Sequence, residues 1–269
     1  MQQQILIYLE YYLLSLWYTL GAVVLCGLAA HFARRAFVSL VGSGKFVYVT
    51  SVIGTPIHEL GHAVMCLLFG HRITDMKLLL PPGDPSGTLG YVEHSYNKRN
   101  LWARLGNLFI GIGPILSGLG VILLCLFFCF PAPWKGYLAA TSTLSAATAL
   151  PKLLSASVSL LLSLPAAFVR EDWWIPLIGL IVILFVSQHV TLSTADIKGS
   201  LSAVPLYLIL LLIVTLVTYL TGVRGTVLTA LFRFHLWTLS FFTISIAFSL
   251  FWVLVGLLIR LLRAIRNAF

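Results

Sequence analysis

From Leu105 to Phe130 the chain runs without a single charged side chain. A stretch of that length and composition has few folded outcomes. In lipid only helices and closed barrels satisfy their own backbone hydrogen bonds, and a helical crossing takes roughly 20 apolar residues. The remainder of the chain points the same way. Of 269 residues, 59% are hydrophobic and 9% charged, whereas about a quarter are charged in a typical soluble domain. These proportions exclude a water-soluble globule and a disordered chain. The expected fold is an all-α polytopic membrane protein with about six transmembrane helices at this length. It forms a single membrane domain over residues 1–269, with a functional core near 46–200 and C-terminal helices over 201–269.

The apolar runs predict spans at Tyr11–Ala30, Phe46–Phe69, Leu105–Phe130, Trp173–Thr191, Leu201–Gly222 and Phe234–Ile259. The stretch Tyr137–Val169, interrupted by Pro151-Lys152, is compatible with interfacial, re-entrant or crossing helices. Arg72–Tyr96 reads differently. Two short strands, Arg72–Leu80 and Thr88–Tyr96, flank the breaker-rich Pro81-Pro82-Gly83-Asp84-Pro85-Ser86-Gly87. This pattern predicts a small surface β-hairpin directly after the second span.

Lys and Arg number 17 against 8 Asp and Glu, a net charge of +9. In such a chain that excess faces anionic headgroups. No basic run with interleaved aromatics suggests a nucleic acid, so the expected partner surface is the bilayer. Six crossings with both termini on one side divide the Lys and Arg nine against eight, so charge does not orient the chain. The same count puts Arg34 and Arg35 on the face opposite Asp196. Cys26, Cys66, Cys125 and Cys129 all fall in apolar segments and read as small buried hydrophobes.

Against this background His58-Glu59-Leu60-Gly61-His62 stands out in the middle of the second run. On a helix, positions i and i+4 share a face, so both imidazoles reach one metal ion. Glu59 lies beside them as a general base for water that zinc makes acidic. Three ionisable groups at bilayer depth cost a few kcal/mol each on insertion scales of about 2.5–3.5 kcal/mol, which points to function rather than helix packing. A catalytic zinc takes a third protein ligand and keeps one position open. Following the spans through the bilayer brings His189 and Asp196, at the end of the fourth run, to the same face as His62. Glu171 and Asp172 arrive a bilayer away. Either His189 or Asp196 can complete the site on this reasoning. The hairpin segment Leu89-Gly90-Tyr91 offers strand formers and a glycine that permits close backbone approach by a peptide substrate.

With these residues the chain resembles the site-2 protease family of intramembrane zinc metalloproteases, as a minimal member without a PDZ insertion. His58-Glu59-Leu60-Gly61-His62 matches the family's metal-binding helix, and the hairpin looks like its membrane-associated β-element. Gln188 to Gly199 resembles the family's NxxPxxxLDG segment, with Gln188 at the Asn and Asp196 at the Asp. Gly113-Pro114-Ile115-Leu116-Ser117 is similar to its GPxxN, with Ser117 at the Asn. The resemblance implies Zn²⁺ held by His58, His62 and Asp196, with Glu59 as catalytic base. It leaves His189, Gln188, Ser117, Leu89, Gly90 and Tyr91 to support the ligands or bind substrate. It also implies hydrolysis of membrane-protein or peptide substrates near the cytosolic face. Two other readings fit the same residues: a non-catalytic zinc-binding membrane scaffold, and a transporter using the His and Glu cluster as an ion path.

Overall fold

In the computed structural model, which describes residues 2–42, 44–142, 149–169 and 171–268, helices dominate. The order is α1 (Gln2–Leu16), a π-helical turn (Trp17–Gly21), α2 (Ala22–Val41), α3 (Gly44–Leu68), β1 (Arg72–Lys77), β2 (Tyr91–Ser95), α4 (Leu101–Cys129), α5 (Pro131–Thr141), α6 (Ala149–Ser163), a 3₁₀ segment (Leu164–Val169), α7 (Trp174–Ser187), α8 (Thr194–Leu201), α9 (Val204–Leu220) and α10 (Arg224–Ala268). Residues 143–148 of the undecided stretch, and the side chain of Cys26, lie outside the described residues.

The uncharged run forms α4, which Asn100 starts by accepting the backbone N–H groups of Trp102 and Ala103. Such a cap satisfies donors that a helix start otherwise leaves unpaired. Its buried residues Ile115, Leu119, Ile122 and Leu126 recur every three or four positions, a helical face turned inward. They join Ile183 and Val186 of α7 and Ile244 and Phe248 of α10 in one core. The opposite face of α4 leaves Leu124, Phe127 and Phe128 exposed. Large apolar side chains on the outside suit a solvent of lipid.

Four described helical stretches are long and apolar enough to cross a membrane: Gln2–Val41, Leu101–Cys129, Ala149–Val169 and Arg224–Asn267. The pair Thr194–Leu201 and Val204–Leu220, bent by 48°, makes a fifth if taken as one span. The expected count of six is therefore corrected, and its membership changes. Ala149–Val169, left undecided in sequence, qualifies. α3 is 25 residues long, but His58, Glu59 and His62 keep it out of the strongly apolar group. α7 is only 14 residues, about 21 Å at 1.5 Å per residue, short of a hydrocarbon core of about 30 Å.

That short helix serves the site. The fourth run was expected to continue helically to Thr191, but α7 stops at Ser187 and α8 starts afresh behind Ser193, its N-cap. The non-helical residues between include Gln188, His189, Val190 and Thr191, all buried at 1–4% exposure. Irregular backbone at membrane depth is tolerated where protein surrounds it or where it lines a cavity. The hairpin forms as expected but with shorter strands. β1 and β2 pair antiparallel from Arg72↔Ser95 to Lys77↔Tyr91, with an irregularity between Ile73 and Asp75. Beyond Lys77 a bend at Leu78 ends the ladder, so Thr88, Leu89 and Gly90 lie outside the strand, with one further bond from the Leu80 N–H to the Leu89 carbonyl at 2.8 Å.

Candidate metal centre

α3 and α4 cross in backbone contact. A Cβ on Gly61 would stand 2.6 Å from the carbonyl oxygen of Gly113, and a Cβ on Gly113 would meet that of Gly61 at the same distance. The Ser117 hydroxyl adds a clamp to this crossing by donating to the Ile57 carbonyl at 2.8 Å. The glycine within the His-Glu-x-x-His motif therefore docks the helix, and the face it docks carries the two histidines. Gly111 does the same for α8, since a Cβ there would come within 2.7 Å of the Asp196 carbonyl oxygen.

On this frame His58, His62 and Asp196 converge, with one ligand atom of each within 4.8 Å of the others. The His62 Nε2 stands 3.2 Å and the His58 Nε2 3.8 Å from the Asp196 carboxylate. The Nδ1 atoms face away, toward the carbonyls of Ile110 at 2.7 Å and His189 at 2.9 Å. A carbonyl only accepts, so each Nδ1 donates. In the neutral rings this leaves the Nε2 lone pairs aimed at a carboxylate. Electron-rich atoms facing one another at that range fit a cation between them, and the orienting carbonyls are the kind of support that metal-binding histidines use. Asp196 is itself held by a reciprocal cap: its carboxylate accepts the Ser193 N–H at 2.6 Å, and the Ser193 hydroxyl accepts the Asp196 N–H at 3.1 Å.

Glu59 is 6% exposed and lines a cavity of about 810 Å³ together with all three convergent residues. Among the described residues no hydrogen-bond donor reaches its carboxylate. The segment Gly87–Val92 forms another wall of the same cavity. Gly90 packs directly over the motif, because a Cβ there would lie 3.0 Å from the Glu59 Cγ and 2.9 Å from the Thr55 Cγ2. Tyr91 donates its hydroxyl to Asp75 at 2.6 Å. That bond holds the Asp75 carboxyl below the usual range and pushes the Tyr91 phenol up to about 12.

The other sequence candidates take different places. His189 does not join the cluster through its ring. Its Nε2 and Nδ1 stand 3.2 and 3.4 Å from the hydroxyls of Thr50 and Thr55, while its backbone carbonyl orients His58. The break after Ser187 is the physical reason, since His189 and Asp196 share no continuous helix. Gln188 is buried with its Nε2 unpartnered, and Ser117 is the helix clamp described above. Neither lines the cavity.

Residues that sequence reasoning passed over do line it, notably Arg34, Arg35, Thr55 and Asn107. Arg34 donates to the Thr191 hydroxyl at 3.2 Å. This corrects the sidedness expected from six crossings, because Arg34 and Arg35 share the cavity of Asp196. Arg263 in the basic tail reaches the Val41 carbonyl at 2.6 Å, so the end of α2 and the tail of α10 lie at one end of the bundle. A second group, Cys66, His71 and His94, also brings ligand atoms within 4.8 Å of one another. Its signal in the sequence was Cys66 continuing the i, i+4 spacing of His58 and His62 along α3. No family model, curated protein or solved structure matches this chain.

Proposed function

We propose that the chain is an intramembrane zinc metallo-endopeptidase of the kind its motifs resemble, hydrolysing peptide bonds of membrane-associated substrates. The observation that carries this reading is the convergence of His58 Nε2, His62 Nε2 and an Asp196 oxygen beside Glu59 in one cavity. Two imidazoles and a carboxylate with an open fourth position suit catalytic zinc, whose usual ligands are nitrogen, sulfur and carboxylate oxygen. When bound, zinc supplies the Lewis acidity that brings the pKa of water from 15.7 to about 7.

The chain's own groups do the rest. The Glu59 carboxylate takes a proton from the attacking water, whose oxygen bonds to the scissile carbonyl carbon. Glu59 then delivers that proton to the amide nitrogen as the C–N bond breaks, giving an amine and a carboxylic acid that ionises by releasing the water's second proton. A helical substrate shields its scissile amide in intrahelical hydrogen bonds, so it must unwind first. The Gly87–Val92 wall, which runs into the strand at Tyr91, offers backbone for the unwound segment to pair with. Gly90 keeps that wall in contact with the Glu59 side chain. In this reading the protein is multi-pass and integral to the membrane, with its site at the cytosolic side.

Quantitative comparison of membrane proteins from cells carrying the wild type or Glu59→Gln tests the reading. A substrate that accumulates uncut in the variant, with metal retained in the purified variant, is the expected result. Metal retained with identical cleavage products in both points to the scaffold. Absence of tightly bound metal in the wild type points to the ion-path alternative.

A further inference from the structure

Four residues beyond His62, the end of α3 carries a second convergence. Cys66 is fully buried. The helix then closes in a Schellman turn, with the His71 N–H bonded to the Cys66 carbonyl at 2.8 Å and Gly70 N–H to that of Leu67 at 3.2 Å. Gly70, at φ +71°, supplies the left-handed residue such a turn uses. The turn carries His71 back over Cys66, and the hairpin register brings β2 alongside with His94. The His71 and His94 Nδ1 atoms stand 2.9 Å apart.

His71 is tied down on its other edge. Its Nε2 donates to the Ala103 carbonyl at 2.8 Å, which in the neutral ring leaves Nδ1 as a lone pair facing His94 and Cys66. Tyr96 stacks on the ring at 4.5 Å. A metal-free pair uses one proton between the two imidazoles and gives the sulfur nothing to do. A cation uses all three groups. Nitrogens bound to tetrahedral zinc at 2.0–2.1 Å stand about 3.3–3.4 Å apart, so the rings would part by only a few tenths of an ångström.

We infer that Cys66, His71 and His94 form a second metal site, for zinc or a cation of similar softness, that clamps β2 of the hairpin to the end of α3. Thiolate and imidazole select such cations over magnesium or calcium. The clamp has a purpose in the geometry: the segment Gly87–Val92 that walls the first cavity leads directly into β2. Binding at Cys66 fixes that wall relative to Glu59. The inference is independent of the function proposed for the first cluster, which contains no sulfur.

Cobalt titration of the full-length protein, stripped of metal by chelation in detergent, reads the site. Cobalt bound to a thiolate gives a sulfur-to-metal charge-transfer absorption in the near ultraviolet that a His-His-Asp site cannot give. The wild type should show this band, and Cys66→Ser should lose it while still taking up cobalt at the first cluster. His94→Gln, at a half-buried position of β2, provides a second variant that keeps the sulfur and should also lose the band. Hydrogen exchange on the wild type should show Tyr91–Ser95 protected by zinc and released by chelator. No charge-transfer band at saturating cobalt, or a band that survives Cys66→Ser, would overturn the inference.

Discussion

His62 and Cys66 stand four residues apart on α3, and each anchors a different cluster. The first is assembled by helix docking. Gly61 and Gly113 let α3 and α4 touch, Gly111 lets α8 approach, and Asp196 arrives from a helix that starts afresh behind the Ser193 cap. The second is assembled locally, by a helix-ending turn and the register of a two-strand hairpin. One helical stripe thus serves both a cavity with a free carboxylate and a clamp without one. The difference lies in Glu59: the first cluster has an acid–base group within its cavity, and the second has only ligands. In the proposed reading, chemistry belongs to the first and positioning to the second.

The largest effect that separates the two follows from Glu59→Gln. The change keeps the shape of the side chain but removes the base, which is worth about 10²–10⁴-fold in rate. Cleavage should fall by at least that much while metal analysis finds the content of both clusters unchanged. Wild-type turnover in this variant would remove the contrast altogether. Next comes Asp196→Ala, which takes one ligand from the first cluster only. After mild chelation the variant should lose the first metal while the thiolate-to-cobalt band persists. Loss of both metals together would mean that the clusters form one coupled unit.

Smaller effects test how the first cluster is built. Gly61→Ala places a methyl against the Gly113 backbone, and overpacking of this kind costs about 1–3 kcal/mol. Thermal unfolding in detergent should show that loss, and cobalt affinity should drop at the first cluster but hold at the second. Ser117→Ala removes one helix-to-helix hydrogen bond, worth about 1 kcal/mol. A stability loss in Ser117→Ala that exceeds that of Gly61→Ala would contradict the view that backbone contact, rather than the hydroxyl, sets the crossing.

What was legible in the sequence divides along the same line. His58, Glu59 and His62 are readable because helical spacing alone puts them together. Asp196 requires a path through several spans, which brings it to the face of His62; the side of Arg34 and Arg35, which depends on the first span, is the part that differs, because they line the cavity of Asp196. The hairpin showed itself through its breakers. Its strands are shorter than the apolar strand formers past Lys77 suggest, because the chain bends at Leu78, although the Leu80 N–H still reaches the Leu89 carbonyl. The span count differs because His58, Glu59 and His62 lower the hydropathy of α3, α7 is too short, and Ala149–Val169 qualifies. The break after Ser187 coincides with the polar pair Gln188-His189, and the Ser193–Asp196 cap, a local hydrogen-bond pattern, marks where the helix restarts. Cys66, His71 and His94 were individually unremarkable, because only the left-handed Gly70 and the strand register bring them together.

The central claim, that the first cluster hydrolyses peptide bonds with Glu59 as base, is tested most directly in water enriched in heavy oxygen. Purified protein in lipid nanodiscs is incubated with membrane proteins extracted in detergent, and newly formed carboxyl termini are examined by mass spectrometry. The account predicts new termini carrying one heavy oxygen with the wild type, and none with Glu59→Gln or after chelation. New termini formed equally by the wild type and Glu59→Gln, or no new termini from metal-loaded wild type, would contradict it.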